Sequence, residues 1–214
     1  CDSTSGANHG DATSMEAGDQ VDGKIGGSLD FDGSAEYITT VDIGAIDTAT
    51  SLTGCAWVNH DTTSDDDVIF AKNNSTTDGM IFYREETGAA RNDNYSIYVA
   101  ETDGTANGTL ESVTNASVVG QWKYVCFQAV ANSATGLSIY INGEKDSNVG
   151  SSTDVDNFGS DNDVFNIAVQ SNGKTSELDG KIDEVRISNS AHSGDWIRTE
   201  YNNQSKPSLF YTIG

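Results

Sequence analysis

Short runs in which apolar and polar residues alternate recur along most of the chain, and they constrain the fold more than any other feature. They read "LTGCAWVNH", "DVIFAKN", "GMIFYREE", "NYSIYVAE", "GTLESV", "QWKYVCFQAV", "GLSIYINGEK", "DVFNIAVQ" and "KIDEVRIS". Each is rich in Val, Ile, Tyr, Phe or Trp and is bounded by Gly, Asn or Asp. That is the pattern of a strand with one buried face, closed by turn residues. Strands this short and this numerous predict an all-β sandwich or barrel. An earlier stretch, "SLDFDGSAEYITTV", alternates on both sides of an Asp-Gly turn and predicts a hairpin. Only residues 193–203, "SGDWIRTEYNN", have helical spacing, with Ser193 placed to cap and Trp196, Ile197 and Tyr201 on one side. Residues 1–23 are polar and Gly/Ser/Asp-rich, which predicts loop with at most one short strand. The chain closes on "SLFYTIG", a further apolar strand after Pro207.

Apolar residues are spread evenly from Ile25 to Ile213, so the 214 residues are read as one domain, 1–214, with one core. No apolar run reaches the length of about 18 residues that a membrane-spanning helix needs. The formal net charge is -22, from 33 acidic against 11 basic residues. Phosphate recognition requires clustered Lys and Arg, so nucleic acid is excluded as a partner, and an anionic membrane surface is disfavoured. The acidity fits solubility by self-repulsion, and individual carboxylates are also hard oxygen ligands of the kind calcium takes. Three cysteines, Cys1, Cys55 and Cys126, leave one unpaired in any disulfide scheme. Low Lys, abundant Asp, Asn, Gly and Thr, and Asn-x-Ser/Thr sequons such as Asn94 and Asn107 suit an exported protein. A chain starting at Cys1 also matches the mature end of a bacterial lipoprotein.

The segments "DGKIGGSLDFDGSAEYI", "LTGCAWVNH", "GQWKYVCFQAV", "LSIYINGE" and "LDGKIDEVRISNSAHSGDWIRTEYNN" occur in an order and spacing that covers about residues 21–203. This ordered set resembles the concanavalin A-like, laminin-G-like jelly-roll domains of extracellular multidomain proteins. The resemblance implies a two-sheet antiparallel sandwich with a short C-terminal helix, often calcium-bound and used for carbohydrate binding or adhesion at the cell surface. It places the strands of Cys55 and Cys126 near one another and so implies a Cys55–Cys126 disulfide, with two buried free thiols as the alternative. Trp57 and Trp122 match the family's core tryptophans. The family also opens with an apolar strand ahead of "DSTSG", where this chain begins. An unfilled strand position exposes backbone groups that a neighbouring copy or flanking domain can pair with.

The acidic stretch "ELDGKIDEVRIS" carries Glu177, Asp179, Asp183 and Glu184. Laminarinase-like glucanases share the jelly roll and use a Glu-x-Asp-x-x-Glu strand, whose carboxylates alternate onto one face for double displacement. Glu177 and Asp179 fit, but the last carboxylate position is Ile182 and Glu184 lies two residues beyond it. No catalytic residues are therefore expected. Read as a strand, "KIDEVRIS" puts Asp183 on the side of Val185 and Ile187. A carboxylate there must be hydrogen-bonded, paired or metal-bound. The reading leaves two roles open, a turn-fixing Asp or a calcium ligand. If the last strand lies beside the first hairpin, as the resemblance suggests, Asp32, Glu36 and Asp183 converge on calcium, joined by Asp2. Tyr83, Arg84, Arg91, Tyr95 and Tyr98 lie in and between two polar-flanked strands and are the candidate ligand-binding face. The expected function is a non-catalytic extracellular module for glycan or another surface ligand. The second expectation is a subunit of a surface assembly completed by strand exchange.

Overall fold

The computed structural model describes residues 6, 8–62, 66–73, 78–85, 93–101, 106–113, 116–158, 163–170 and 175–206. Its first strands are β1 (Gly10–Thr13), β2 (Gln20–Asp22), β3 (Gly27–Asp32), β4 (Tyr37–Asp42), β5 (Ser51–His60), β6 (Asp67–Lys72) and β7 (Gly79–Arg84). They are followed by β8 (Tyr95–Ala100), β9 (Asn107–Glu111), β10 (Lys123–Val130), β11 (Leu137–Ile141), β12 (Glu144–Lys145), β13 (Val164–Ile167) and β14 (Asp179–Ser188). Two helices accompany them, the single turn α1 (Gly44–Asp47) and the longer α2 (Gly194–Ser205). The strands form two antiparallel sheets. Sheet A has the order β1-β4-β13-β6-β7-β8-β9 and sheet B the order β12-β11-β10-β5-β14-β3-β2. The expected two-sheet sandwich with a short C-terminal helix is thus the observed architecture.

Alternation fills the space between the sheets. Phe70 and Phe82 from sheet A meet Phe127 from sheet B, with ring centroids 5.4–5.9 Å apart. Phe165 stacks on Phe70 at 5.6 Å. Gly54 of β5 lies under these rings, where an added Cβ would come within 2.4 Å of Phe127 and 2.7 Å of Phe70. The other side of β5 is also covered. Cys55 and Trp57 point away from the interior into a second cluster with Tyr124, Cys126, Tyr140 and Ile197 of α2. Burial on both sides leaves β5 with no solvent face, where the alternation of "LTGCAWVNH" predicts one. Trp57 is therefore a core residue of the layer between sheet B and the helix, not of the space between the sheets. Cys55 stands directly opposite Cys126, and the two are bonded.

Helix α2 begins as its sequence predicts. Ser193 accepts a hydrogen bond from the Trp196 N–H at 3.2 Å. Ile197 is fully buried beneath it, and Trp57 Nε1 donates to Gln204 Oε1 at 2.6 Å. Arg186 pairs with Glu200, and Arg198 pairs with Glu144, tying the exposed side of the helix to β14 and β12.

Three local expectations are corrected. The leading segment contains two short strands, β1 and β2, rather than at most one. The "SLDFDGSAEYITTV" stretch is not a hairpin, because β3 belongs to sheet B and β4 to sheet A. Its turn, with Gly33 and Ala35 both at positive φ, carries the chain across the sandwich. Lastly, Asp183 does not share a side with Val185 and Ile187. Between Asp183, opposite Trp57, and Arg186, opposite Cys55, β14 holds one residue more than β5. Glu184 absorbs this bulge with φ of 52° and reverses the alternation. Ile182, Val185 and Ile187 then pack inward, while Asp183 lies on the side of Trp57. The "SLFYTIG" segment lies outside the described residues.

Candidate functional site

The residues expected to hold calcium are divided between two places. Asp32 ends β3, and its N–H donates to Glu36 Oε2 at 2.8 Å while its own Oδ1 accepts from the Ser34 N–H at 2.8 Å. Burial raises the pKa of Glu36, and the nearby charges of Asp32, Asp19 and Asp30 add to the rise. Asp183 instead accepts a hydrogen bond from the Ile25 N–H at 2.8 Å, and burial raises its pKa as well. The residue opposite Asp32 is Asp179. Asp183 is four residues further along, about 13 Å at the usual rise of a strand. Calcium–oxygen distances of about 2.3–2.6 Å cannot bridge that gap, so these residues do not form one coordination sphere. Asp2 lies outside the described residues. Asp183 takes the first of its two possible roles, fixing the turn between β2 and β3 through backbone N–H groups.

Asp32 belongs to a different acidic assembly. With Asp66, Asp67, Glu177 and Asp179 it lines a cavity of about 370 Å³ at one end of the sandwich. Burial raises the pKa of Asp179, and the charges of Asp61, Asp67, Asp30 and Asp32 raise it further. Glu177 and Asp179 thus open onto one cavity, as a glucanase strand would require. The third position is occupied by Ile182, which is buried in the interior, and Glu184 pairs with Arg186 on the opposite side of the sheet. No described carboxylate completes the pair from β14.

Beneath this cavity lies a buried charged network. Asp67 Oδ2 accepts from Arg84 Nε at 2.8 Å, contacts Arg84 Nη2 at 2.7 Å, and accepts from His60 Nδ1 at 2.8 Å. Arg84 Nη1 reaches Asp93 Oδ1 and the Glu85 carbonyl, each at 3.2 Å. Burial lowers the pKa of His60 although the hydrogen bond to Asp67 opposes this, so the ring is neutral with its proton on Nδ1. Tyr95 lies 5.9 Å from the His60 ring and is fully buried, which pushes its hydroxyl pKa far above the ordinary range.

This network divides the predicted ligand face. Arg84 and Tyr95 point into the sandwich and present nothing to a ligand, and Arg91 lies outside the described residues. Tyr83 and Tyr98 do share the outer side of sheet A, half-buried over Val68, Ala71 and Ile81. The register sets out two rows there. One runs Asp11, Thr39, Asn166, Ala71, Ile81, Tyr98, Thr109. The other runs Val68, Tyr83, Ser96, Glu111. Thr39 Oγ1 donates to Asn166 Oδ1 at 2.7 Å, and Tyr83 donates its hydroxyl to Glu85 at 3.3 Å. Neither row contains a Lys or Arg. Thr39 and Asn166 had no signal as partners, because 126 intervening residues separate them and only sheet register brings them together.

Two antiparallel seven-stranded sheets packed face to face, with a short helix after the last described strand, form a jelly-roll sandwich. The chain belongs to the concanavalin A-like lectin/glucanases superfamily, whose Laminin_G_3 family model matches residues 32–198. Among solved structures, it is similar to domain 4 of AbnA, an extracellular arabinanase from Geobacillus stearothermophilus, solved with arabinotriose. The TM-score is 0.61 at 19% identity, over 84% of this chain and 79% of that one. It is also similar to the binding domain of Paraclostridial Mosquitocidal Protein 1, with a TM-score of 0.69 at 13% identity, over 92% of this chain and 47% of that one. A heptameric pentraxin from Limulus polyphemus matches with a TM-score of 0.53 at 14% identity, over 72% of this chain and 70% of that one. At these identities the likeness shows a shared fold. No curated protein matches the chain. Among the described residues, no helix is long and apolar enough to cross a membrane.

Proposed function

We propose that this chain is a non-catalytic, extracellular binding module for neutral carbohydrate, with its site on the outer side of sheet A. The observation that carries the reading is the pair Tyr83 and Tyr98, held on adjacent strands over an apolar strip, with the accessible hydroxyls of Thr39 and Thr109 in the same row as Tyr98. Aromatic rings offer flat apolar surface, and a few fixed polar groups orient a ligand on it. A net charge of -22, with Asp11 and Glu111 in the two rows, repels uronate or sulfated glycans and favours neutral ones. The arabinotriose complex of the Geobacillus domain supports a carbohydrate ligand for this fold. Export is supported by the Cys55–Cys126 disulfide, which persists in oxidising compartments. No role is assigned to calcium, because the residues expected to bind it are divided. The test is a glycan array followed by affinity electrophoresis on the hits. Tyr83→Ala/Tyr98→Ala should weaken binding at least tenfold, a loss of about 1.4 kcal/mol. Binding that persists undiminished in this variant places the site elsewhere.

A second reading, assembly by strand addition, has its own support. Among the described residues, strand β2 pairs only with Gly27–Leu29, so it stops short of the end of β3. Beside that edge the two sheets part around a cavity of about 420 Å³, lined by apolar side chains that include Leu29, Phe31, Ile38, Ile167, Ile182 and Val185. An open edge beside an apolar slot is what an added strand from a neighbouring copy or flanking domain would require. Light scattering after size-exclusion chromatography tests it, since a strictly monomeric chain at high concentration argues against self-assembly.

A further inference from the structure

Lys72, the last residue of β6, is turned into the sandwich on the side of Met80, and its side chain is 0% exposed. Its ammonium lies 3.0 Å from Asp42 Oδ1 and 2.5 Å from Asp47 Oδ1. Asp42 ends β4 and Asp47 ends α1, so both carboxyls come from one short connection that folds over the amine. The two oxygens that face Lys72 are shut off from solvent, and the residue before Asp47, Ile46, is buried in the main core. One amine, one carboxyl in contact with it and a second carboxyl within hydrogen-bond reach of the same nitrogen are therefore packed with their facing atoms shut off from water.

These are the parts of an amide-forming site, and we propose that Lys72 and Asp47 join in an intramolecular isopeptide bond, with Asp42 moving the protons. The atoms balance without a cofactor or an oxidant. The ammonium passes one proton, by way of Asp42, to the Asp47 carboxylate, leaving a neutral amine beside a carboxylic acid and Asp42 ionised. The Nζ lone pair attacks Cγ of Asp47. The nitrogen then gives its surplus proton to Asp42, and Asp42 hands it to the hydroxyl that departs as the C–O bond breaks. The products are one Nζ–Cγ amide, one water and an ionised Asp42, so the net charge of the group is unchanged. Desolvation is what makes a buried Lys nucleophilic. Groups held in contact react with effective molarities of about 10⁵–10⁸ M, which is how amide formation can prevail over hydrolysis here. The reaction also replaces a buried ion pair, costly to desolvate, with a neutral link. Asp42 and Asp47 each remain partly exposed, at 33% and 14%, which gives the water a way out.

Intact-mass spectrometry of the whole chain, reduced and denatured, tests the inference. The expected mass is one water below the sequence mass, and digestion should yield a branched peptide joining the segment of Asp47 to that of Lys72. Succinimide formation at an Asp-Gly pair also loses one water, so Lys72→Arg and Asp47→Ala decide between them. Both variants should regain the full sequence mass. A wild-type chain at full mass overturns the proposal, and so does a water loss that survives Lys72→Arg. The wild-type measurement needs no variant to fold.

Discussion

Asp67→Asn probes the buried network at the point where its charges meet. Asp67 is 1% exposed, and its Oδ2 serves both Arg84 and His60. Asparagine keeps the shape but removes the charge, leaving a fully buried guanidinium with part of its pairing gone. Removing one partner of a buried pair costs about 3–5 kcal/mol. Arg84 keeps Asp93 and the Glu85 carbonyl, so the lower end, about 3 kcal/mol, is expected. For a chain of this size each kcal/mol lowers Tm by about 2–4 °C, which gives about 6–12 °C by calorimetry at pH 7. The cause is checked by Asp67→Asn/Arg84→Met. Replacing both charges with uncharged side chains of similar bulk is often nearly neutral, so the double variant should recover most of the loss. A fall in Tm under about 2 °C for the single variant, or a double variant no better than the single, refutes the reasoning.

Removing the disulfide with Cys55→Ala/Cys126→Ala frees a loop with a sequence separation of 71 residues. By loop entropy this should cost about 4 kcal/mol, read from denaturant unfolding against the oxidised protein. Asp179→Asn relieves repulsion from Asp61, Asp67, Asp30 and Asp32. A carboxyl whose folded pKa is raised stabilises below its unfolded value of 3.8, and that contribution is lost as pH rises through the folded value. The variant should therefore be the more stable protein at pH 7 and lose its advantage as pH falls toward 3.8. His60 has the opposite sign, because its folded pKa lies below 6.5 and the unfolded chain takes up the proton first. Wild-type stability should fall as pH drops from 6.5 through the folded value, and His60→Gln should flatten that part of the profile.

Much of the fold is legible in the alternation, and the failures have identifiable causes. The quoted runs each contain an observed strand, because a half-buried strand imposes a period of two on its residues. That period also separates Tyr83 from Arg84 and Tyr95 from Tyr98, so the predicted ligand set had to divide between two sides of sheet A. The direction of the division was not legible. It depends on Asp67 standing opposite Arg84 across β6 and β7, a pairing of distant residues. The supposed hairpin at Gly33 failed because an Asp-Gly turn looks the same whether the chain returns to its own sheet or crosses to the other. Asp183 was misplaced by a bulge at Glu184, and no residue type there announces a positive φ. The divided calcium set follows from that misplacement and from the strand register, which sets Asp179 rather than Asp183 beside Asp32.

The position of β14 in sheet B bears on how the chain is made. It lies between β5 and β3, yet it is the last strand in sequence among the described residues. A ribosome, or an export channel threading the chain from its N-terminus, delivers β3 and β5 long before the strand that joins them. Until residues 179–188 emerge, sheet B exists as two fragments with bare edges, and neither can close over the phenylalanine cluster. Folding is thereby postponed to a single late event. A chain cut short before β14 should be held by chaperones or degraded rather than released as a partial sandwich. The same delay leaves the polypeptide unfolded until residues 179–188 emerge, so the strand that completes the sheet also times its closure.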